Sequence, residues 1–148
     1  MFMSIEEFYV PPSGPPQGIT PDSRIYLLMG EDNIYKMLED FYLELEKSSI
    51  RHLFPADMKA ASKKSAAFFV FICGGPPLYQ QQFGSPRMRQ RHLPFAIDEE
   101  ARQVWLHSFK HILQDAEQKY CFPMEYMSSF YRFLDQFSTW MINTQSEK

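Results

Sequence analysis

Cysteine is scarce in this chain of 148 residues: Cys73 and Cys121 are the only two, and they form neither a CxxC pair nor part of a metal-ligand cluster. That excludes a small disulfide-built fold and makes the reducing cytoplasm the expected location. A single Cys73–Cys121 bridge stays open at this level. Net charge is also small, at −3, too little to draw the whole chain to nucleic acid or an anionic membrane. No apolar run reaches the roughly 18–20 residues of a membrane span. The N-terminal MFMSIEEFYV lacks the basic-then-apolar order of a secretory signal. Strand alternation, internal repeats, a phosphate loop, a dinucleotide fingerprint and a hydrolase signature are all missing. The expectation is a soluble cytoplasmic protein with no nucleic acid and no membrane among its partners.

What the chain does have is apolar and aromatic residues, at 45% and 16% of the sequence, with fourteen phenylalanines. A chain of this length can bury a core, and this one should be rich in rings. Residues 1–23 carry five prolines and read as an N-terminal extension, because proline fixes φ and cannot donate a backbone hydrogen bond. The domain is expected over residues 24–148. Ile34, Met37, Leu38, Phe41, Tyr42 and Leu45 trace the buried stripe of a helix over residues 31–47. A second helix is predicted over 57–73, ended by Gly74-Gly75, which suit a left-handed cap, and by Pro76-Pro77. Asp98 is a plausible N-cap for a third, with one apolar face running from Ala101 to Ala116. Pro123 suits the first position of a fourth, striped by Met127, Phe130, Leu134 and Met141. The fold class is all-α.

Between the second and third helices lies GGPPLYQQQFGSPRMRQRHLPF, residues 74–95. A loop of about twenty residues is long for a helical bundle, where connections run to about 2–8, so it needs something to order it. His92 sits in it after Arg87, Arg89 and Arg91. One reading is a solvated basic loop or an anion-binding patch; the other is an imidazole for a metal beside a guanidinium for the carboxylates of a cofactor. Tyr42 and Trp105 read as core residues, yet their O–H and N–H need partners when buried and could serve a small polar ligand. His107 and His111 stand one helical turn apart with no acidic or cysteine partner nearby in sequence, and read as surface histidines.

EDFYLEL, the FP of Phe54-Pro55, GGPPLY, FGSPRMRQRHLPF and VWLHSF together resemble the group II truncated haemoglobins, the 2/2 globins, from about Ile34 to the C-terminus. The resemblance implies a 2-over-2 helical sandwich with a long irregular loop before a proximal histidine. It implies haem b as cofactor, with His92 on the iron and Arg91 on a propionate, and with Phe54, Phe69, Met88 and Phe95 against the macrocycle. Tyr42 and Trp105 would donate hydrogen bonds to the gas ligand, with Ser65, Ala61 and Phe68 around them; Ala61 stands where many globins place a histidine. Phe54 departs from the tyrosine common at its position and removes one hydroxyl. Tyr42 or His52 stays open as an internal sixth ligand. The function implied is binding of O2, NO and CO, with NO dioxygenase or peroxidase-like chemistry supported by an unidentified reductase, in a monomer or weak dimer. The competing expectation is a haem-free helical interaction module that binds anions through its arginines.

Overall fold

The computed structural model describes residues 9–12, 14–15 and 20–145. Much of the N-terminal extension lies outside these residues. Among them the chain is helical throughout, without a strand. Eight α-helices follow in order: α1 Arg24–Met29, α2 Glu31–Glu46, α3 Met58–Ile72, α4 Leu78–Phe83, α5 Met88–His92, α6 Glu99–Ile112, α7 Ala116–Tyr120 and α8 Met127–Met141. Two single 3-10 turns, Arg51–Leu53 and Met124–Tyr126, precede α3 and α8. The long helices form two pairs, α2 with α3 and α6 with α8, and α2 crosses onto α6 to join them.

Each long helix forms where its apolar spacing allows one face to be buried. Ile34, Met37, Leu38, Phe41 and Leu45 are buried on α2, and Phe130, Phe133, Leu134 and Met141 on α8. Between the pairs lies a continuous set of rings. Phe41 stacks on Phe109 at 4.0 Å, Phe69 lies 5.6 Å from Phe109 and 6.0 Å from Phe130, and Phe133 stacks on Phe137 at 5.3 Å. Such side chains contribute about 1.5–3 kcal/mol each by burial. Carboxylate caps start two of the helices: Asp57 accepts from the Ala60 amide at 3.0 Å and Asp98 from Ala101 at 2.8 Å.

Three expectations are corrected. The segment over 74–95 is not one irregular loop but contains α4 and α5, of six and five residues, too short to show a periodic pattern. The face from Ala101 to Ala116 is not one helix. The chain turns after Ile112, so that α7 can bring the Tyr120 hydroxyl to Asp40 of α2 at 2.6 Å and Phe122 can reach Phe130 at 5.2 Å. Pro123 is extended, with ψ 103°, and precedes the 3-10 turn rather than opening α8. The helix α1 was not anticipated. It is seated by a hydrogen bond from the Tyr26 amide to the Cys73 carbonyl, 2.9 Å.

That contact explains the glycine pair. Gly74 has φ +104°, and a Cβ there would collide with the backbone carbonyl of Ser23; a Cβ on Gly75 would come within 2.7 Å of the Tyr26 ring. Both glycines thus admit the N-terminal chain as well as ending α3. Gly84 also has positive φ, +84°, but a Cβ there meets nothing within 4 Å. Gly84→Ala should therefore lose about 1–3 kcal/mol from backbone conformation alone, and Gly74→Ala distinctly more. Urea unfolding of the two variants measures this, and equal losses would remove the collision as the cause.

Cys73 is buried and Cys121 exposed, and both thiols are free, which closes the question of a bridge between them. Burial pushes the Cys73 thiol up to about 12 from its ordinary 9.0. Its contribution to stability is therefore complete below its ordinary value and is lost as pH rises toward 12. At pH 8, iodoacetamide should alkylate Cys121 in the folded chain and reach Cys73 only in denaturant. Mass spectrometry showing equal labelling of both in native buffer would contradict this burial.

Candidate functional site: an aromatic cavity closed by His92

A cavity of about 780 Å3 opens between the helix pairs, within the range of about 300–1,000 Å3 usual for cofactor and ligand sites. All eleven residues that the resemblance assigns to the cofactor or the gas ligand line it. Helix α2 supplies Tyr42. Helix α3 supplies Ala61, Ser65, Phe68 and Phe69, which recur at helical spacing and so share a face. Phe54 comes from the connection between them, Met88, Arg91 and His92 from α5, Phe95 from the chain just beyond, and Trp105 from α6.

His92 is the last residue of α5 and half-buried. Its Nδ1 lies 2.7 Å from the Met88 carbonyl oxygen one turn back. A carbonyl can only accept, so Nδ1 carries the proton and donates. Burial holds the ring's pKa below the ordinary histidine value, while the Met88 bond opposes that shift in part. The imidazole is thus neutral near pH 7, and its lone pair belongs to Nε2, the nitrogen with no partner among the described residues. An imidazole held in this way has the tautomer that ligating a metal through Nε2 requires.

The lining also carries the hydrogen-bonding side chains Tyr42 and Trp105. Burial pushes the Tyr42 phenol above its ordinary value, and a hydrogen bond with Ser65 opposes this. A phenol O–H in this lining is able to donate to a small polar ligand. Tyr42 is braced edge-to-face by Phe41 at 5.6 Å and Phe54 at 5.7 Å. Trp105 is held by Phe41 at 5.4 Å and Phe109 at 5.6 Å, and its indole N–H has no acceptor among the described residues. Ring packing thus fixes two donors on one side of a largely apolar space.

The mouth is basic. Arg91, Lys63 and Lys64 line it, and the two lysines escaped the sequence reading although they adjoin Ser65 on α3. Lys64 Nζ sits 5.0 Å above the Phe83 ring, and the Arg91 guanidinium lies 5.4 Å from the Tyr79 ring. Arg91 also donates to the carbonyls of Pro86 at 2.7 Å, Ser85 at 2.8 Å and Phe83 at 3.1 Å. This ties the loop before α5 and leaves Nη1 without a partner among the described residues. An apolar slot with one neutral imidazole, opposed donors and a cationic rim suits a flat, metal-bearing group with anionic edges. The donor set therefore fits a haem.

The arginines do not form a single anion-binding patch. Residues two apart lie on opposite sides of a helix, and Arg89 turns away from the cavity to donate to the backbone of residues 9, 140 and 142. Arg87 is exposed and reaches only Gln90. His52 is exposed and outside the cavity lining, which places Tyr42 and not His52 beside this space. His107 and His111 are exposed, with His111 Nδ1 3.1 Å from Glu44, and no group of potential metal ligands exists among the described residues.

Known proteins agree with this architecture. The bacterial-like globin family matches residues 25–142. The group 2 truncated hemoglobin YjbI of Bacillus subtilis is 34% identical over 86 residues, which span 57% of this chain and 65% of that relative, under two thirds of its length. The crystal structure of phosphate-bound Hell's gate globin IV superposes with a TM-score of 0.80 at 38% identity, over 89% of this chain and 82% of that one. A truncated oxygen-avid haemoglobin from Bacillus subtilis does so with a TM-score of 0.72 at 28% identity, over 80% and 98%. With two helix pairs around an aromatic cavity lined by His92, this chain belongs to the bacterial-like globin family and is similar to group II truncated haemoglobins within it.

Proposed function

We propose that this chain is a haem b protein that binds O2 and other diatomic ligands, NO and CO included, and uses them in redox chemistry with O2, NO or peroxide. Globin membership itself implies haem. The observation that carries the rest is the His92–Met88 hydrogen bond of 2.7 Å, which leaves the Nε2 lone pair to a cavity-lining imidazole. When bound, a haem supplies an iron that takes diatomic ligands and passes between ferrous and ferric states.

The roles left to the protein follow from its side chains. His92 would hold the metal, and Phe54, Phe69, Met88 and Phe95 would give the apolar walls of the cofactor slot. Arg91 receives carboxylates at the mouth through its planar donor fork. Tyr42 and Trp105 aim hydrogen-bond donors at the gas ligand where little water competes, with Ser65 orienting Tyr42 and Phe68 excluding solvent. Ala61 leaves room for ligands to pass. Phe54 contributes no hydroxyl, so two donors act where a tyrosine at that position would add a third. Fixed donors slow release, which suits reaction with NO or peroxide better than storage. NO dioxygenase and peroxidase-like activities are the two enzymatic forms of this reading. Either calls for an electron donor, and we place a reductase among the partners of a cytoplasmic monomer or weak dimer. Among the described residues no helix is long and apolar enough to cross a membrane.

The first test is the absorption spectrum of the purified chain with added haem, in ferric, reduced and CO-bound forms. The expected result is stoichiometric uptake with a Soret band that moves on CO binding, and loss or severe weakening of normal ligation in His92→Ala. No haem uptake, or a His92→Ala spectrum identical to the parent, would overturn the assignment.

The donors can be tested separately by stopped-flow O2 dissociation. Tyr42→Phe and Trp105→Phe each remove one hydrogen bond of about 1.4 kcal/mol, so each should speed release about tenfold. Unchanged rates in both variants would leave no role for this wall in ligand retention.

A further inference from the structure

The helix that carries His92 cannot hold its own position. Helix α5 has five residues, none of them buried, and its N-cap residue Arg87 sits in left-handed backbone with φ +36°. One turn of helix is unstable in water without tertiary support. The Met88 bond orients the imidazole relative to α5, but what orients α5 relative to the cavity must come from elsewhere.

Two side chains do this. Arg89, on the face of α5 opposite the cavity, donates through Nη1 to the carbonyls of Trp140 and, at 2.7 Å, Ile142, and through Nη2 to the carbonyl of Tyr9 at 2.7 Å. Its guanidinium also lies 4.6 Å from the Trp140 ring. These carbonyls lie at and just past the C-terminal end of α8, where a cation is favoured. Asn143 is only 2% exposed. Its Nδ2 donates to the carbonyls of His92 at 3.2 Å and Phe95 at 2.8 Å, and its Oδ1 accepts from the Ile97 amide at 2.9 Å. The Asn143 amide donates to the Ile97 carbonyl at 2.9 Å, and its own carbonyl accepts from the Tyr9 amide at 2.8 Å. Tyr9 thus bridges the two hubs with its backbone, one hydrogen bond to each.

We propose that Arg89 and Asn143 are positioning residues that clamp the His92 helix to the end of α8, and that the N-terminal extension, through the Tyr9 backbone, is the third part of the clamp. The inference rests on His92 being the iron ligand. It gives the extension a task and separates Arg89 from Arg91, its near neighbour on the other face. A buried asparagine that uses both donors and its acceptor on three backbone groups has no apolar equivalent, so loss of any one bond leaves a polar group to be rehydrated.

The test uses the full chain loaded with haem and four variants. Asn143→Ala removes the hub. Asn143→Asp keeps the acceptor for Ile97 but loses both donors. Arg89→Lys keeps the charge but cannot reach three carbonyls. Tyr9→Pro deletes the amide that reaches Asn143, together with the Tyr9 side chain, and keeps the carbonyl that accepts from Arg89. The readouts are haem loss to an apoglobin scavenger, the iron–histidine stretching band of the ferrous form by resonance Raman, and hydrogen exchange of the Ile97 amide in the haem-free chain. The expected result is a shifted or broadened iron–histidine band with haem loss about tenfold faster, the usual scale for groups standing behind a metal ligand, and faster Ile97 exchange in Asn143→Ala, which alone removes the acceptor of that amide. An unshifted band and unchanged haem loss in Asn143→Asp and Tyr9→Pro would overturn the clamp. Tyr9→Pro decides the matter should Asn143→Ala fail to fold. Absence of haem uptake by the parent chain would instead overturn the reading of His92, while Ile97 exchange would still report whether Asn143 holds this backbone.

Discussion

A cavity of about 780 Å3 in a chain of 148 residues keeps its shape only if its walls cannot fold inward, and here that stiffness comes from aromatic rings locked against one another. Phe41 is the pivot. It stacks on Phe109 and meets Tyr42 and Trp105 edge-on, so the two donors of the distal wall are both held through one buried ring. Phenylalanine suits this task because it has few rotamers and no polar atom to satisfy, and offset or edge-to-face packing is favoured over collapse. The large aromatic share of the composition therefore has a geometrical consequence beyond apolar burial: it leaves a polar wall fixed inside an apolar space.

The proximal side depends on a different kind of force. Its helix is short, with no residue fully buried, and charged and amide donors on backbone carbonyls add to the packing of Met88 in holding it. The two sides of the cavity therefore differ in how they respond to substitution. Truncating a ring in the distal wall opens space that neighbours fill only in part. Removing a donor behind α5 leaves carbonyls unsatisfied while the packing stays as it was. The basic mouth adds a third element, since Arg91, Lys63 and Lys64 line it together and no acidic side chain but Asp57 joins them in the lining. Anionic groups on a ligand's edge are favoured there whatever the ligand's apolar body.

The four long helices were legible because burial imposes a period, and Asp57 and Asp98 mark where two of them start. The site residues on these helices were legible for the same reason: Ala61, Ser65, Phe68 and Phe69 share a face whether or not their purpose is understood. What periodicity could not show was α1, α4 and α5, whose five or six residues hold less than two turns. Nor could it show the break at residues 113–115, which follows from the long-range reach of Tyr120 to Asp40. Pro123 was misplaced because proline is compatible with both a first helical position and an extended residue. Gly74 shows a partial success. Its left-handed role at the end of α3 could be read locally, whereas its closeness to Ser23 depends on where the N-terminal chain returns.

The arginines carry the same lesson into function. In the sequence Arg87, Arg89 and Arg91 are equivalent members of one alternating run. Once α5 forms, alternation sends Arg89 to one side and Arg91 to the other, and a uniform basic loop becomes two unlike devices. Arg91 stays at the mouth, where its remaining donor can meet an anion. Arg89 points behind the histidine, to the carbonyls of Trp140 and Ile142, which follow it by more than fifty residues, and of Tyr9, and no local pattern connects them with it. The result is that the imidazole is positioned through two hydrogen-bonded steps, its own ring to Met88 and its own carbonyl to Asn143. The His92 side of the cavity is thus held without a long helix, by segments around Tyr9 and Asn143 that meet behind α5.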